Sequence, residues 1–255
     1  MSKLAVVVAL ATGLLSGAAM AQAAKPTIVL VHGAFADSSS WNGVIANLQR
    51  DGYRTVAIAN PLRSVSADAQ LVSDVVGSIA GPVVLVGHSY GGQVISNAVK
   101  GRDNVKSLVY VAAFAPDTGE AAADLAGKFP GGTLGQALAP PVKLTGGGVD
   151  LYIDQAKFRE QFAHDVPAEA AALMAVGQRP ITEAALTEKS GEPAWKSRPS
   201  YFVYGESDRN IPAQALGFMA ERAGSRRTVV VKGGSHVVMV SQPKTVADVI
   251  EEAAR

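Results

Sequence analysis

Three residues of the 255-residue chain are of the types that together perform nucleophilic substitution at a carbonyl: Ser89, Asp208 and His236, in that order. A serine hydroxyl is a weak nucleophile at neutral pH and needs a base to take its proton. A histidine titrates in the right range to accept that proton and pass it to a leaving group. An aspartate beside the histidine holds its tautomer and stabilises the imidazolium. Ser89 sits in Gly87-His88-Ser89-Tyr90-Gly91, a G-x-S-x-G pattern. In a chain of 26 glycines such a pattern arises by chance, so its setting decides its meaning.

The setting is a strand, a turn and a helix. Gly81-Pro82 opens the stretch, and the short β-branched run Val83–Val86 reads as a strand buried on both faces. Gln93–Lys100 has a helical pattern. This is the context a nucleophile elbow requires, with Gly87 and Gly91 small for steric reasons. The helix N-terminus turns N–H groups toward any anion formed at Ser89. The backbone N–H of Tyr90 and that of Ala34, in His32-Gly33-Ala34-Phe35, are the expected oxyanion donors, with Gly33 letting the backbone turn over the site.

Rival residues exist. Asp117 and Glu206 also lie just past strand ends, and Asp117 is the main alternative to Asp208. His32 is read as propping its own loop. His88 belongs to the elbow, and His164 reads as solvated on a surface helix.

The elements that must position these residues alternate. Strands are expected at Thr27–Val31, Tyr53–Ala59, Val83–Val86, Val105–Ala113, Pro199–Tyr204 and Arg227–Val231. Helical patterns separate them, including Ala67–Ala80 and the closing Val246–Ala254. The rhythm predicts an α/β fold: a doubly wound, mostly parallel six-stranded sheet with ligands at the carboxyl ends of its strands. Asp117–Pro199 interrupts it with short helical patterns and the glycine triplet Gly146–Gly148. No strong strand is expected there, except one over Leu151–Ile153. An insertion of this length at the active edge, before the penultimate strand, reads as a helical cap. Phe35, Trp41, Phe114, Met174 and Trp195 are the candidate pocket residues. Phe158 and Phe162 read as residues that hold the cap together.

Composition sets outer limits. A net charge of +1 gives no electrostatic footprint for nucleic acid or a membrane surface. The absence of cysteine excludes disulfides, thiolate metal sites and a cysteine nucleophile. No metal or organic cofactor is implied, because no ligand cluster or dinucleotide fingerprint is present. Met1–Ala24 reads as a Sec-type signal peptide: Lys3 supplies the charged region, Leu4–Leu15 the apolar run, and Ala19-Met20-Ala21 or Ala21-Gln22-Ala23 the cleavage site. Residues 25–255 then form one domain, exported to a bacterial periplasm or medium, without stable membrane association. Nothing in the pattern sets an oligomeric state.

The pieces VLVHGAF, LVGHSYGG, VYVAAFAPD, YGESDRNIP and GGSHVVMVSQP resemble the α/β-hydrolase-fold serine hydrolases. Within them the chain is similar to the branch of plant methyl esterases, hydroxynitrile lyases and bacterial pyrethroid-hydrolysing esterases. The resemblance implies a triad of Ser89, Asp208 and His236 and an oxyanion hole at Ala34 and Tyr90. It implies hydrolysis of a small, apolar carboxylic ester through an acyl-enzyme on Ser89. The same triad also serves an amidase, a lactonase, a lyase or a cofactor-free perhydrolase, and a non-enzymatic ligand-binding protein can retain it. The lyases carry threonine where Gly33 stands and lysine after the catalytic histidine, whereas Val237 follows His236 here.

Overall fold

A computed structural model describes residues 25–255. The expected signal peptide, Met1–Ala24, lies outside the described residues. In chain order the strands of the main sheet are β1 (Thr27–Val31), β2 (Thr55–Ile58), β3 (Val83–His88), β4 (Val105–Val111), β8 (Ser200–Gly205) and β9 (Arg227–Val231), the numbers β5 to β7 belonging to the insertion described below. They lie side by side in the order β2-β1-β3-β4-β8-β9, and every pair is parallel. β3 sits inside the sheet and all six of its residues are buried. That explains its unbroken apolar run: a parallel strand covered on both faces has no solvent side to make polar. The edge strand β9 is half exposed and carries Arg227 and Thr228.

Helices α1 (Asn42–Arg50), α2 (Val65–Gly77), α3 (Tyr90–Ala98), α9 (Ala213–Arg222), α10 (Val238–Ser241) and α11 (Pro243–Ala253) cover the sheet. α1 packs on α11, and α2 on α3. Local chemistry sets their starts. The Ser64 hydroxyl accepts from the Ala67 N–H at the head of α2, and Pro243 opens α11, where a missing N–H costs nothing. Among the described residues no helix is long and apolar enough to cross a membrane.

The insertion between β4 and β8 forms the cap. It holds α4 (Ala122–Ala126), α5 (Leu134–Ala137), α6 (Gln155–Phe162), α7 (Ala168–Gly177) and α8 (Glu183–Thr187). It also holds a small antiparallel sheet of β5 (Val142–Lys143), β6 (Val149–Leu151) and β7 (Ile181–Thr182). The sequence pattern predicts only one strand here, and β6 starts and ends two residues before it. The glycine triplet is the turn between β5 and β6: Gly147 and Gly148 take φ of 93° and 80°, which suit glycine. The cap is tied to the body at its base, where the Glu188 carboxylate accepts from the Val65 and Ser66 N–H groups and so caps α2.

Candidate active site

Ser89 occupies the sharp turn between β3 and α3 with φ 54° and ψ −124°, a left-handed backbone rare for a residue with a side chain. Close packing imposes this turn. A Cβ on Gly87 would meet the Gly91 carbonyl oxygen at 2.5 Å, and one on Gly91 would meet the Val31 carbonyl oxygen at 2.5 Å. The turn is pinned from outside as well. The Ser89 N–H donates to Val111 O at 3.2 Å, and Ser89 O accepts from Gly92 at 3.0 Å and Phe114 at 3.1 Å. Strain of this kind persists only where the surroundings over-determine it.

The structure brings Asp208 and His236 together. His236 Nδ1 lies 2.7 Å from Asp208 Oδ2, and both side chains are fully buried. A carboxylate only accepts, so Nδ1 carries the proton and Nε2 presents its lone pair. Nε2 is buried and has no hydrogen-bond partner among the described residues. Asp208 is itself fixed: its other oxygen accepts from the N–H groups of Asn210 at 2.8 Å and Ile211 at 3.0 Å. The rival acids are engaged elsewhere. Asp117 pairs with Lys196 at the surface, which holds its carboxyl below the usual range, and Glu206 accepts from the Gly233 N–H.

Ala34 follows Gly33 in the loop after β1, and Tyr90 follows Ser89 in the elbow. Tyr90 is the first residue of α3, where no intrahelical acceptor exists. Gly33 is glycine for a reason other than turning freedom: a Cβ there would stand 2.6 Å from both His88 O and Ser89 Cβ and 3.0 Å from Tyr90 N. The loop bearing Ala34 therefore rests directly on the elbow. Phe35, with φ 62°, follows, and its N–H is spent on Arg179 O of the cap at 2.9 Å. The Tyr90 side chain points away from the turn, and its phenol donates to the buried Asp68 carboxyl at 3.0 Å. Burial raises the pKa of both groups.

The remaining histidines divide by role. His32 is buried and accepts from the Asn60 N–H at Nε2, while Nδ1–H donates to Gly33 O. It supports its own loop, and burial keeps it below the ordinary imidazole range. His164 follows α6, half-buried, with Nε2 3.3 Å from Ser207 O, so it is less solvated than its setting in the sequence suggests. His88 is fully buried and packs against His236 with ring centroids 4.8 Å apart.

Of the candidate pocket residues, Phe35 and Met174 line a crevice of about 130 Å³ beneath α7, together with Leu173 and Gln178. Trp41, Phe114 and Trp195 are buried in other work. Trp41 sets its ring edge against His88, the Phe114 N–H holds Ser89 O, and the Trp195 indole donates to Pro116 O beside Arg222. Phe162 is closer to the chemistry than its helical spacing suggests, its ring centroid 5.1 Å from that of His236 and 6.2 Å from that of Phe35. No sequence signal marks that contact, because it depends on how the cap folds back. The same end of the cap bonds the acid and base loops. Gln161 Nε2 donates to Arg209 O and Asn210 Oδ1, and Asp165 Oδ2 accepts from the Ser235 N–H.

Comparison with known proteins agrees with this architecture. An alpha/beta hydrolase of Aspergillus novofumigatus (strain IBT 16806), nvfD, is 27% identical over 251 residues, covering 90% of this chain and 97% of that one. Esterase PIR7B of Oryza sativa subsp. japonica is 24% identical over 262 residues, covering 92% and 98%. The crystal structure of polyneuridine aldehyde esterase superposes with a TM-score of 0.77 at 18% identity, covering 91% of this chain and all of that one, a likeness of fold. Residues 28–249 match the alpha/beta hydrolase family, and the chain belongs to that family.

Proposed function

We propose that the chain is a serine hydrolase that cleaves a small, apolar carboxylic ester through an acyl-enzyme on Ser89. The observation that carries this reading is the buried Asp208–His236 pair at 2.7 Å, whose Nε2 has no hydrogen-bond partner among the described residues and whose ring packs on His88, the residue before the strained serine. His236 Nε2 takes the Ser89 proton as Oγ attacks the ester carbonyl. The oxyanion is met by the Ala34 and Tyr90 N–H groups. The tetrahedral intermediate collapses, the C–O bond to the alcohol breaks, and His236 gives its proton to the departing oxygen. Water then attacks the acyl-enzyme with His236 again as base, and the acid leaves. The esterase name of the rice relative supports the ester over other acyl donors.

The crevice sets Phe35, Leu173 and Met174 against Asp37, Ser39, Ser40 and Gln178, and its small volume suits a compact acyl or alcohol group whose apolar part lies on the first three. A cyanide-releasing lyase reading is disfavoured, because the buried Val237 beside His236 offers no charge to a departing anion. We further propose that Met1–Ala24 directs export and that the mature chain acts in the periplasm or medium. The mass of the exported chain tests this; an unprocessed mass refutes it.

The test of function is hydrolysis of p-nitrophenyl esters of rising acyl length by wild type and Ser89→Ala. We expect rapid release by the wild type, favouring short acyl groups, and none by the variant. Equal release by both refutes the assignment. A folded wild type that neither hydrolyses esters nor reacts with a fluorophosphonate indicates a binding role.

A further inference from the structure

His88 carries hydrogen-bonding capacity that the proposed mechanism does not use. It is the last residue of β3, covalently joined to Ser89, and its side chain has no solvent exposure. Its Nε2 lies 3.1 Å from the main-chain oxygen of His236. A carbonyl oxygen only accepts, so Nε2 carries the proton, and Nδ1 is an unprotonated nitrogen with no partner among the described residues. The ring packs on that of His236 at 4.8 Å, and Trp41 and Phe162 set their rings edge-on against it at 6.4 and 6.3 Å. Among the described residues no other side chain of the elbow reaches the loop after β9 by a hydrogen bond. β3 and β9 are separated in the sheet by β4 and β8. His88 thus bridges two parts of the sheet that share no edge.

We propose that His88 is a positioning residue that fixes the distance between Ser89 and His236, by donating Nε2–H to the His236 carbonyl and backing its imidazole ring. The inference rests on Ser89 as nucleophile and His236 as base. Its geometry explains why an imidazole, rather than an apolar ring, fills a wholly buried place. A ring supplies a packing surface against the tilted His236 ring, and a donor at its far end reaches the carbonyl. Burial and the neighbouring His236 hold the His88 pKa well below the usual imidazole range. His88 therefore stays neutral, and the positive charge of turnover resides on His236.

The test compares His88→Phe, which keeps a ring and loses the donor, with His88→Gln, whose amide reaches the same carbonyl. The readouts are the rate at which a fluorophosphonate labels Ser89, kcat and KM on a p-nitrophenyl ester, and the thermal midpoint. Losing one hydrogen bond that orders the base corresponds to roughly a tenfold change in rate. We expect His88→Phe to lower labelling and kcat about tenfold with KM within about twofold, and His88→Gln to recover most of both rates. Should the Phe variant not fold, His88→Asn, whose shorter amide falls short of the carbonyl, takes its place beside His88→Gln. Wild-type labelling and kcat in the donor-less variant overturn the proposal. Rates that follow the thermal midpoint alone, without rescue by Gln, also overturn it. A wild type that does not label at all overturns the nucleophile assignment itself, and the tie falls with it.

Discussion

Gly33→Ala is a small change with a large expected effect. The new Cβ would stand 2.6 Å from His88 O and Ser89 Cβ, where ordinary contact begins at 3.4 Å, so something must move by roughly 0.8 Å. Neither neighbour is a flexible side-chain end. His88 O belongs to a strand bonded on both sides, and Ser89 is pinned at its N–H and carbonyl. The loop bearing Ala34 is therefore the part that yields. A donor displaced by nearly an ångström no longer meets the oxyanion, and loss of one such donor costs about a hundredfold to a thousandfold in kcat, or roughly 2.7–4 kcal/mol. Overpacking adds about 1–3 kcal/mol of lost stability. Steady-state kinetics on a p-nitrophenyl ester, with urea denaturation of the same preparation, measures both. KM should change little, because the donor acts in the transition state. A variant with wild-type kcat and wild-type stability would refute the argument that the loop rests on the elbow.

Further expectations come from the same geometry. Asp208→Asn keeps an oxygen for the Asn210 and Ile211 N–H groups, so the fold should hold, but its amide nitrogen facing Nδ1 forces the wrong histidine tautomer. We expect kcat to drop about a thousandfold or more, and activity within tenfold of wild type would contradict that. Tyr90→Phe leaves the buried Asp68 carboxyl without its phenol donor and should cost about 1–3 kcal/mol by denaturant titration. Stability should also fall with acidification below about pH 6.5. His32 and His88 are held neutral by burial, with folded pKa values below 6.5, so the unfolded chain binds more protons there. Each contributes up to about 1.4 kcal/mol per pH unit, and Asp68, raised by burial, opposes the trend only toward the carboxylate range. Urea midpoints from pH 7.5 to 5.5 check this, and His88→Gln should flatten the slope; a flat wild-type profile would count against the buried neutral pair.

How much was legible in the sequence follows from how local each constraint is. The elbow could be read because its pattern is local: Gly87 is small where the Gly91 carbonyl crowds it to 2.5 Å, although Gly91 is small for a distant neighbour, the Val31 carbonyl of β1 at 2.5 Å. The inner strands could be read because burial on both faces demands a nearly unbroken apolar run, and the edge strands β2 and β9 because they keep the alternating rhythm of strand and helix. The pairing of Asp208 with His236 was legible as an order of residues past strand ends, though the distance between them was not. The cap resisted for the opposite reason. Strands of two or three residues carry no periodicity, so β5 and β7 were invisible and the glycine triplet read as a break rather than a hairpin. Phe162 read as packing because its spacing on α6 says nothing about the imidazole it meets. The role of Gly33 was half legible: a glycine over the site was expected for turning freedom, whereas the elbow beneath it requires one for lack of room.

The end of α6 and the residues after it bond to the loops of Asp208 and His236 and cover the His236 ring. This bears on exchanging caps among relatives to change what they accept. A graft that replaced the whole insertion would carry away Gln161, Phe162 and Asp165 and leave the recipient with a loosened acid and base. A graft that keeps 161–165 from the recipient and exchanges α7 alone would alter the crevice wall at Leu173 and Met174 while sparing those ties. The useful boundary for redesign therefore runs through the cap, between α6 and α7, and not along its junction with the sheet.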